Sequence, residues 1–224
     1  MDLAQLHARA LACQSAYGPD AQIVGPHGFF LDDSLDGDQL MIAIRGTANP
    51  HEWRQDFRAV LKIHEPFPGL VHAGFADAFD ELWPGLVLGL RKVSKLQERR
   101  IHITGHSLGA DLALKVAWKL HNLGGFTIRS ITLFGCPRGG NRPWAEAFSR
   151  SLLPVPLRIT NRCDPVPHEP PSGLYWHVGS HAWVDHDGAW HDDWPLWTAF
   201  RPNVHDHAID EYVRLTLPPD KLAA

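Results

Sequence analysis

Ile101-His102-Ile103-Thr104-Gly105-His106-Ser107-Leu108-Gly109-Ala110 is the stretch on which the reading of this chain turns. Residues 101 to 104 alternate apolar and polar, as a half-buried strand does. Beyond Gly109, Ala113, Val116, Ala117 and Leu120 recur with helical period. Between the two lies G-x-S-x-G. A strand-to-helix turn this sharp tolerates only small neighbours, hence glycine on both sides of the serine. The turn lifts the Ser107 hydroxyl above the carboxyl edge of a sheet and aims a helix N-terminus at it, where negative charge is favoured. The bare pentapeptide is a common accident of small residues; the strand before it and the helix after it give it weight.

Working outward, residues 2 to 17 carry Leu3, Leu6, Ala10 and Cys13 at helical spacing, and Gly18-Pro19 stops them. Two β-rich runs follow, Gly28 to Leu31 and Gln39 to Ile44. Their connection, Asp32 to Asp38, holds Ser34, Asp36 and Gly37 and predicts a hairpin. A helical pattern spans about Gly74 to Leu96, with Phe79, Leu82, Trp83, Leu86, Leu90 and Val93 on one face. Pro84 inside it is expected to kink or split the helix. Ser130 to Phe134 and Val155 to Thr160 read as further strands. Tyr175 to Val184 and a run around Trp190 flank the turn pair Asp187-Gly188. Ala208 to Leu215 reads as the last helix. Strand-helix-strand alternation predicts an α/β fold, a largely parallel sheet with helices on its faces. With no internal repeat and no linker-like stretch, residues 1–224 read as one domain.

Composition narrows the function. A formal net charge of −4 supplies no basic field for nucleic acid or an anionic membrane. No apolar run approaches the roughly 20 residues that span a bilayer. Cys13, Cys136 and Cys163 cannot form a disulfide framework, since one is always left over. The start, Met1-Asp2-Leu3-Ala4-Gln5-Leu6, has an early acid and no basic region ahead of an apolar core. The expectation is a cytoplasmic protein, unless a leader has been trimmed away.

A serine hydroxyl is a poor nucleophile without a base, and the base needs an orienting group. In α/β-hydrolases the order along the chain is Ser, acid, His, which restricts the search to residues after Ser107. Asp164 lies just past the strand ending at Thr160, on the rim where open α/β sheets bind ligands. An Asx turn before Pro165 is an equally good reading of that position. Among 15 histidines, His205 and His207 flank Asp206 in the loop before the last helix. His181, His186 and His191 crowd the hairpin with Asp185, Asp187, Asp192 and Asp193. His102 belongs to a strand face, and His106 sits in the elbow with its side chain directed away. Order and loop location favour His205 or His207, and periodicity does not separate them.

Beyond these residues, the chain resembles the fungal-type, or class 3, lipase family over most of its length. The resemblance is carried by Ile44-Arg45-Gly46-Thr47 with Trp53 and Asp56, Val71-His72-Ala73-Gly74-Phe75, and Thr104 to Gly109. It continues in Phe134-Gly135-Cys136-Pro137-Arg138-Gly139-Gly140-Asn141, Asn161-Arg162-Cys163-Asp164-Pro165-Val166-Pro167 and Asp206-His207-Ala208-Ile209-Asp210-Glu211-Tyr212. It implies an α/β-hydrolase fold, a mostly parallel central sheet flanked by helices, here with a late β-hairpin extension. It implies a serine carboxylester hydrolase that cleaves acyl esters, glycerides or related lipid esters, through an acyl-enzyme on Ser107. The family's acid precedes Pro-Val-Pro and falls on Asp164; its histidine stands in a His-x-x-x-x-Tyr context and falls on His207. Its oxyanion donors fall on Thr47, with a further bond from that hydroxyl, and on the backbone N–H of Leu108. Losing one such donor typically costs about 10²–10³ in rate. No cofactor and no metal is implied. The partner is a small-molecule or lipid ester, met in transient contact with a lipid interface, and oligomeric state is not indicated.

The chain departs from the family pattern at three places. Cys136 replaces a small residue at the strand end, and is expected to be a partly buried spectator. Asp111 stands where a small or apolar residue is usual; its charge suits a helix N-terminus but opposes an oxyanion if it points inward. The lid segment, residues 49–57, has few apolar residues, so a weakly interfacial lid and a preference for smaller or more soluble esters are expected. Arg45 and Asp56 are candidates for an ion pair bracing the oxyanion loop. Two rival readings exist. One is a zinc or calcium site among the acids and histidines of His181 to Asp193; the other is a catalytically silent relative that binds lipid or a partner protein. Trp176, Trp183, Trp190, Trp194 and Trp197 read as packing residues.

Overall fold

In chain order the elements are α1 (Leu3–Ser15), β1 (Gln22–Val24), β2 (His27–Asp32), β3 (Gln39–Ile44), β4 (Leu61–Lys62), β5 (Val71–His72), α2 (Ala73–Leu90) and β6 (Arg100–His106). There follow α3 (Leu108–Leu123), β7 (Thr127–Phe134), α4 (Arg142–Arg150), β8 (Leu157–Asn161), β9 (Ser180–Val184), β10 (Trp190–His191) and α5 (Ile209–Leu215). The computed structural model describes residues 2–35, 37–46, 60–151 and 153–217.

Among these residues one eight-stranded sheet runs in the order β1-β2-β3-β6-β7-β8-β9-β10, and β4 pairs with β5 in a separate ribbon. Strands β3, β6, β7, β8 and β9 are parallel neighbours. β1 and β2 join antiparallel at one edge, and β10 does so at the other. Parallel neighbours need crossovers that cover the sheet, so the central strands are buried on both faces. β3 illustrates the consequence. Leu40, Ile42 and Ile44 pack into the large core under α2 and α3, while Met41 and Ala43 pack with Ala12 and Ala16 at the other face. Small residues on both sides of that second contact let α1 lie close to the strands. A third cluster joins α1, through Leu6, Ala10 and Cys13, to Tyr212 of α5 and to Phe134 and Ile159 of the sheet. Each large apolar side chain so buried contributes roughly 1.5–3 kcal/mol.

Two expectations from sequence are corrected. Helix α2 is not split at Pro84 and ends at Leu90 rather than near residue 96. Phe75, Phe79, Leu82, Leu86 and Leu90 hold it to the core on both sides of the proline. Pro84 and Asp80, whose carbonyl loses its helical partner, both face solvent. The late hairpin begins at Ser180, not Tyr175, since Ser172–Tyr175 and Gly140–Trp176 form isolated bridges instead. A short strand, β1, had no sequence signal: only Gln22-Ile23-Val24, two of them exposed.

Candidate active site

Ser107 connects β6 directly to α3 and has φ 60° and ψ −132°, a conformation that L-residues rarely adopt. Such strain costs of order 1–3 kcal/mol and persists only where the surroundings enforce it. Here the enforcement is packing. A Cβ on Gly105 would stand 2.2 Å from the carbonyl oxygen of Gly109, and one on Gly109 would stand 2.2 Å from that of Ile44. The two glycines of the motif are therefore what lets the helix start against the strand. The Ser107 N–H donates to the Phe134 carbonyl at 3.0 Å, tying the elbow to β7. The residue is 3% exposed.

Asp164 follows β8 through a tight turn in which Arg162 has φ 43° and the Asp164 N–H donates to the Asn161 carbonyl at 2.9 Å. The two carboxylate oxygens have different partners. Oδ1 accepts the Val166 N–H at 2.9 Å, an Asx turn, and Oδ2 accepts from His207 Nδ1 at 2.8 Å. His207 closes a 3₁₀ turn, Val204–His207, ahead of α5. Its Nε2 lies 2.9 Å from Ser107 Oγ. A carboxylate only accepts, so Nδ1 carries the hydrogen and Nε2 is free to accept from the serine hydroxyl. His205 is exposed, which separates the two candidates that spacing left open. Asp206 staples the loops together: its Oδ2 accepts the Cys163 N–H at 3.1 Å, and its carbonyl accepts Asn161 Nδ2 at 2.9 Å.

Tyr212, which the sequence placed in a motif without assigning it work, reaches the site. Its hydroxyl donates to Asp164 Oδ2 at 2.6 Å and accepts the Asn161 N–H at 3.1 Å. Burial, then the Asp164 charge, push its ionisation well above the ordinary tyrosine range, so it stays a donor. Asp164 thus receives three hydrogen bonds, and its carboxylate is oriented rather than free to rotate.

Leu108, the first residue of α3, is buried. Its N–H is one of the four that helical bonding leaves unpaired. Thr47, Trp53, Asp56 and the segment 49–57 lie outside the described residues, and the Arg45–Asp56 pair lies outside them too. Arg45 Nη2 donates to the Pro26 carbonyl at 3.2 Å.

Cys136 is buried, with its thiol donating to the Pro137 carbonyl at 3.3 Å, and burial raises its pKa. Asp111 is fully buried and bonded to the fully buried Lys115 of the same helix. The Lys115 ammonium lies 5.6–5.8 Å from the ring centroids of Trp144, Phe75 and Phe67. In the late hairpin, Asp185 accepts from the backbone of Asp187 and Ala189 and pairs with His191, all at 2.8–2.9 Å. No group of three histidine, cysteine or acidic side chains converges for a metal among the described residues. Trp183 is buried and donates to the Arg162 carbonyl, whereas Trp176 and Trp197 are 43% and 44% exposed.

Residues 41–173 match the family model for class 3 lipases. The lipase of Rhizomucor miehei is 30% identical over 151 residues, covering 65% of this chain and 41% of that protein. Secreted mono- and diacylglycerol lipase 3 of Gibberella zeae is 31% identical over 123 residues, covering 54% of this chain and 39% of that protein. The chain therefore aligns with about two fifths of the length of these curated relatives. The solved structure of the Rhizomucor miehei lipase propeptide complex superposes with a TM-score of 0.74 at 21% identity, covering 92% of this chain and 78% of that one, and shares the fold. Relatives named as secreted overturn the expectation of a cytoplasmic protein. A leader is removed from a mature secreted chain, so the acid at Asp2 carries no information about export. No helix among the described residues is long and apolar enough to cross a membrane.

Proposed function

The chain belongs to the class 3 lipase family, and from that premise we propose that it is a serine carboxylester hydrolase acting on acyl esters, glycerides or related lipid esters. The observation that carries the reading is the unbroken hydrogen-bonded series Ser107 Oγ, His207, Asp164, three side chains drawn from positions 100 and 43 residues apart. Ser107 attacks the ester carbonyl as His207 Nε2 takes its proton. Asp164 holds the tautomer and stabilises the imidazolium. The tetrahedral oxyanion is held by the Leu108 N–H at the start of α3 and, by family resemblance, by Thr47. His207 then protonates the leaving alcohol, and water cleaves the acyl-enzyme by the same route.

Residues 1–224 act as one domain in this reading, and the relatives' names support a place of action outside the cell. The test is a panel of p-nitrophenyl esters of increasing acyl length, with wild type and Ser107→Ala. Hydrolysis by wild type and loss of it in the variant are expected. Binding of lipid without turnover by either protein would instead favour the catalytically silent relative.

A further inference from the structure

We infer that Tyr17 and His106 are positioning residues, which fasten the loop at Gly46 to the main-chain carbonyl of His207 through a directed chain of hydrogen bonds beneath Ser107. The inference rests on the Ser107–His207–Asp164 reading and adds to it a second link between the oxyanion side of the site and the base.

The placement follows from strand alternation. In β6, Ile101 and Ile103 enter the core under α2 and α3, so His102, Thr104 and His106 turn to the opposite face, where α1 lies. Cys13 of α1 meets Thr104 there, with sulfur and hydroxyl 3.2 Å apart. Tyr17, just past the end of α1, meets His106: its hydroxyl is 2.7 Å from Nδ1. On the other side of the ring, His106 Nε2 is 2.8 Å from the His207 carbonyl oxygen. The Gly46 N–H donates to the Tyr17 hydroxyl at 2.8 Å.

Only one direction of hydrogen bonding satisfies all four groups. The His207 carbonyl can only accept, so His106 Nε2 carries the hydrogen. In a neutral imidazole Nδ1 is then bare and must accept from the Tyr17 O–H. That leaves the tyrosine oxygen to accept the Gly46 N–H, as it does. The ring is kept neutral by its surroundings: burial first, then the neighbouring His207, hold its pKa well below the ordinary histidine value. The His106 and His207 rings lie 4.7 Å apart between centroids, tilted by 30°, so a shift of one is felt by the other.

The loop end of the chain is equally constrained. A Cβ on Gly46 would stand 2.7 Å from Ser107 Cβ and 3.0 Å from the His106 carbonyl oxygen. Gly46 is therefore pressed against the nucleophile, and it immediately precedes the position that the family resemblance assigns to the oxyanion hole. The anchored amide thus fixes Gly46 itself against Ser107. On this inference the arrangement acts on the chemical step, through the oxyanion side and the base together, rather than on substrate affinity.

Tyr17→Phe removes one oxygen and keeps the ring. Its kcat on a soluble p-nitrophenyl ester is expected to fall about 10- to 100-fold, the scale of a catalytic donor displaced by a fraction of an ångström to an ångström, with KM within about twofold of wild type. His106→Phe, which keeps a ring but neither bond, falls at least as far, and His106→Gln, which restores a donor toward the His207 carbonyl, recovers about tenfold of the loss. Wild-type kcat in a folded Tyr17→Phe protein overturns the inference, as does a lowered Tm or raised KM with kcat unchanged. Ser107→Ala, assayed in parallel, separates the two readings. Turnover surviving there sinks the triad itself, whereas an inactive Ser107→Ala beside a fully active Tyr17→Phe sinks only the positioning role.

Discussion

Tyr212 donates its phenolic hydrogen to Asp164 Oδ2 at 2.6 Å, the same oxygen that faces His207 Nδ1. The Asp164 carboxylate is thus shared between His207 and a tyrosine from the first turn of the final helix. Tyr212→Phe leaves Asp164 with two donors and strips the buried Asn161 N–H of its acceptor. Removing a partner from buried polar groups costs about 1–3 kcal/mol. We expect a thermal midpoint lower by several degrees and a several-fold lower kcat at unchanged KM, read by calorimetry and steady-state kinetics on one preparation.

Asp164→Asn tests the tautomer argument. An amide keeps the shape but can present its NH₂ to Nδ1, which stabilises the imidazole with its hydrogen on Nε2, facing the serine. Activity is expected to fall by about 10⁴-fold at neutral pH with the fold intact. A loss of less than tenfold would mean that His207 is oriented by something other than this carboxylate.

The buried Asp111–Lys115 pair makes a prediction of opposite sign for single and double changes. Lys115→Met leaves a buried acid uncompensated, with one oxygen, Oδ1, already lacking a partner among the described residues, and should destabilise by about 3–5 kcal/mol. Asp111→Ala combined with Lys115→Met replaces the pair by apolar groups and should be neutral or stabilising by about 1–4 kcal/mol. Urea midpoints of the three proteins decide this. A double variant less stable than Lys115→Met would contradict it.

Acid should destabilise the fold through its buried histidines. Burial first, and Lys115 next, hold His72 down to about 4; burial and Arg158 hold His181 down to about 3. His106 and His177 also lie well below the ordinary value, chiefly through burial. Unfolded, each binds its proton near pH 6.5, so below that the unfolded chain holds more protons and gains stability relative to the folded one. The contribution is fully present above about pH 6.5 and is lost as the pH falls toward 4. Asp111, raised by burial, acts in the opposite sense. His27, His102 and His168 are lowered too, again chiefly by burial, so seven histidines against Asp111 predict a lower urea midpoint at pH 5 than at pH 7.5; an equal or higher midpoint at pH 5 would refute this account.

What could be read before the fold was seen follows from what local pattern encodes. The elbow was legible because strand period, glycine spacing and helix period meet within a dozen residues. Chain order then carried the search to Asp164 and to the loop holding His205 and His207. Choosing between those two required family resemblance, because their difference, burial against Ser107 versus exposure, is tertiary. Tyr17 was out of reach: a lone tyrosine after a helix has no sequence mark that points 89 residues ahead to His106. Pro84 misled for the converse reason, since tertiary packing on one face outweighs a missing hydrogen bond on the other. At Asp164 one oxygen makes the Asx turn and the other meets His207, so the turn reading and the proposed acid role do not compete.

The claim on which the rest depends is that Ser107 Oγ becomes covalently acylated. Mixing the enzyme with excess p-nitrophenyl ester and quenching within the first turnover should release about one equivalent of p-nitrophenol in a burst. Digestion and mass spectrometry should then find the acyl group on the peptide containing Ser107. Turnover with no acylated peptide, or acyl groups on a different side chain, would contradict the account.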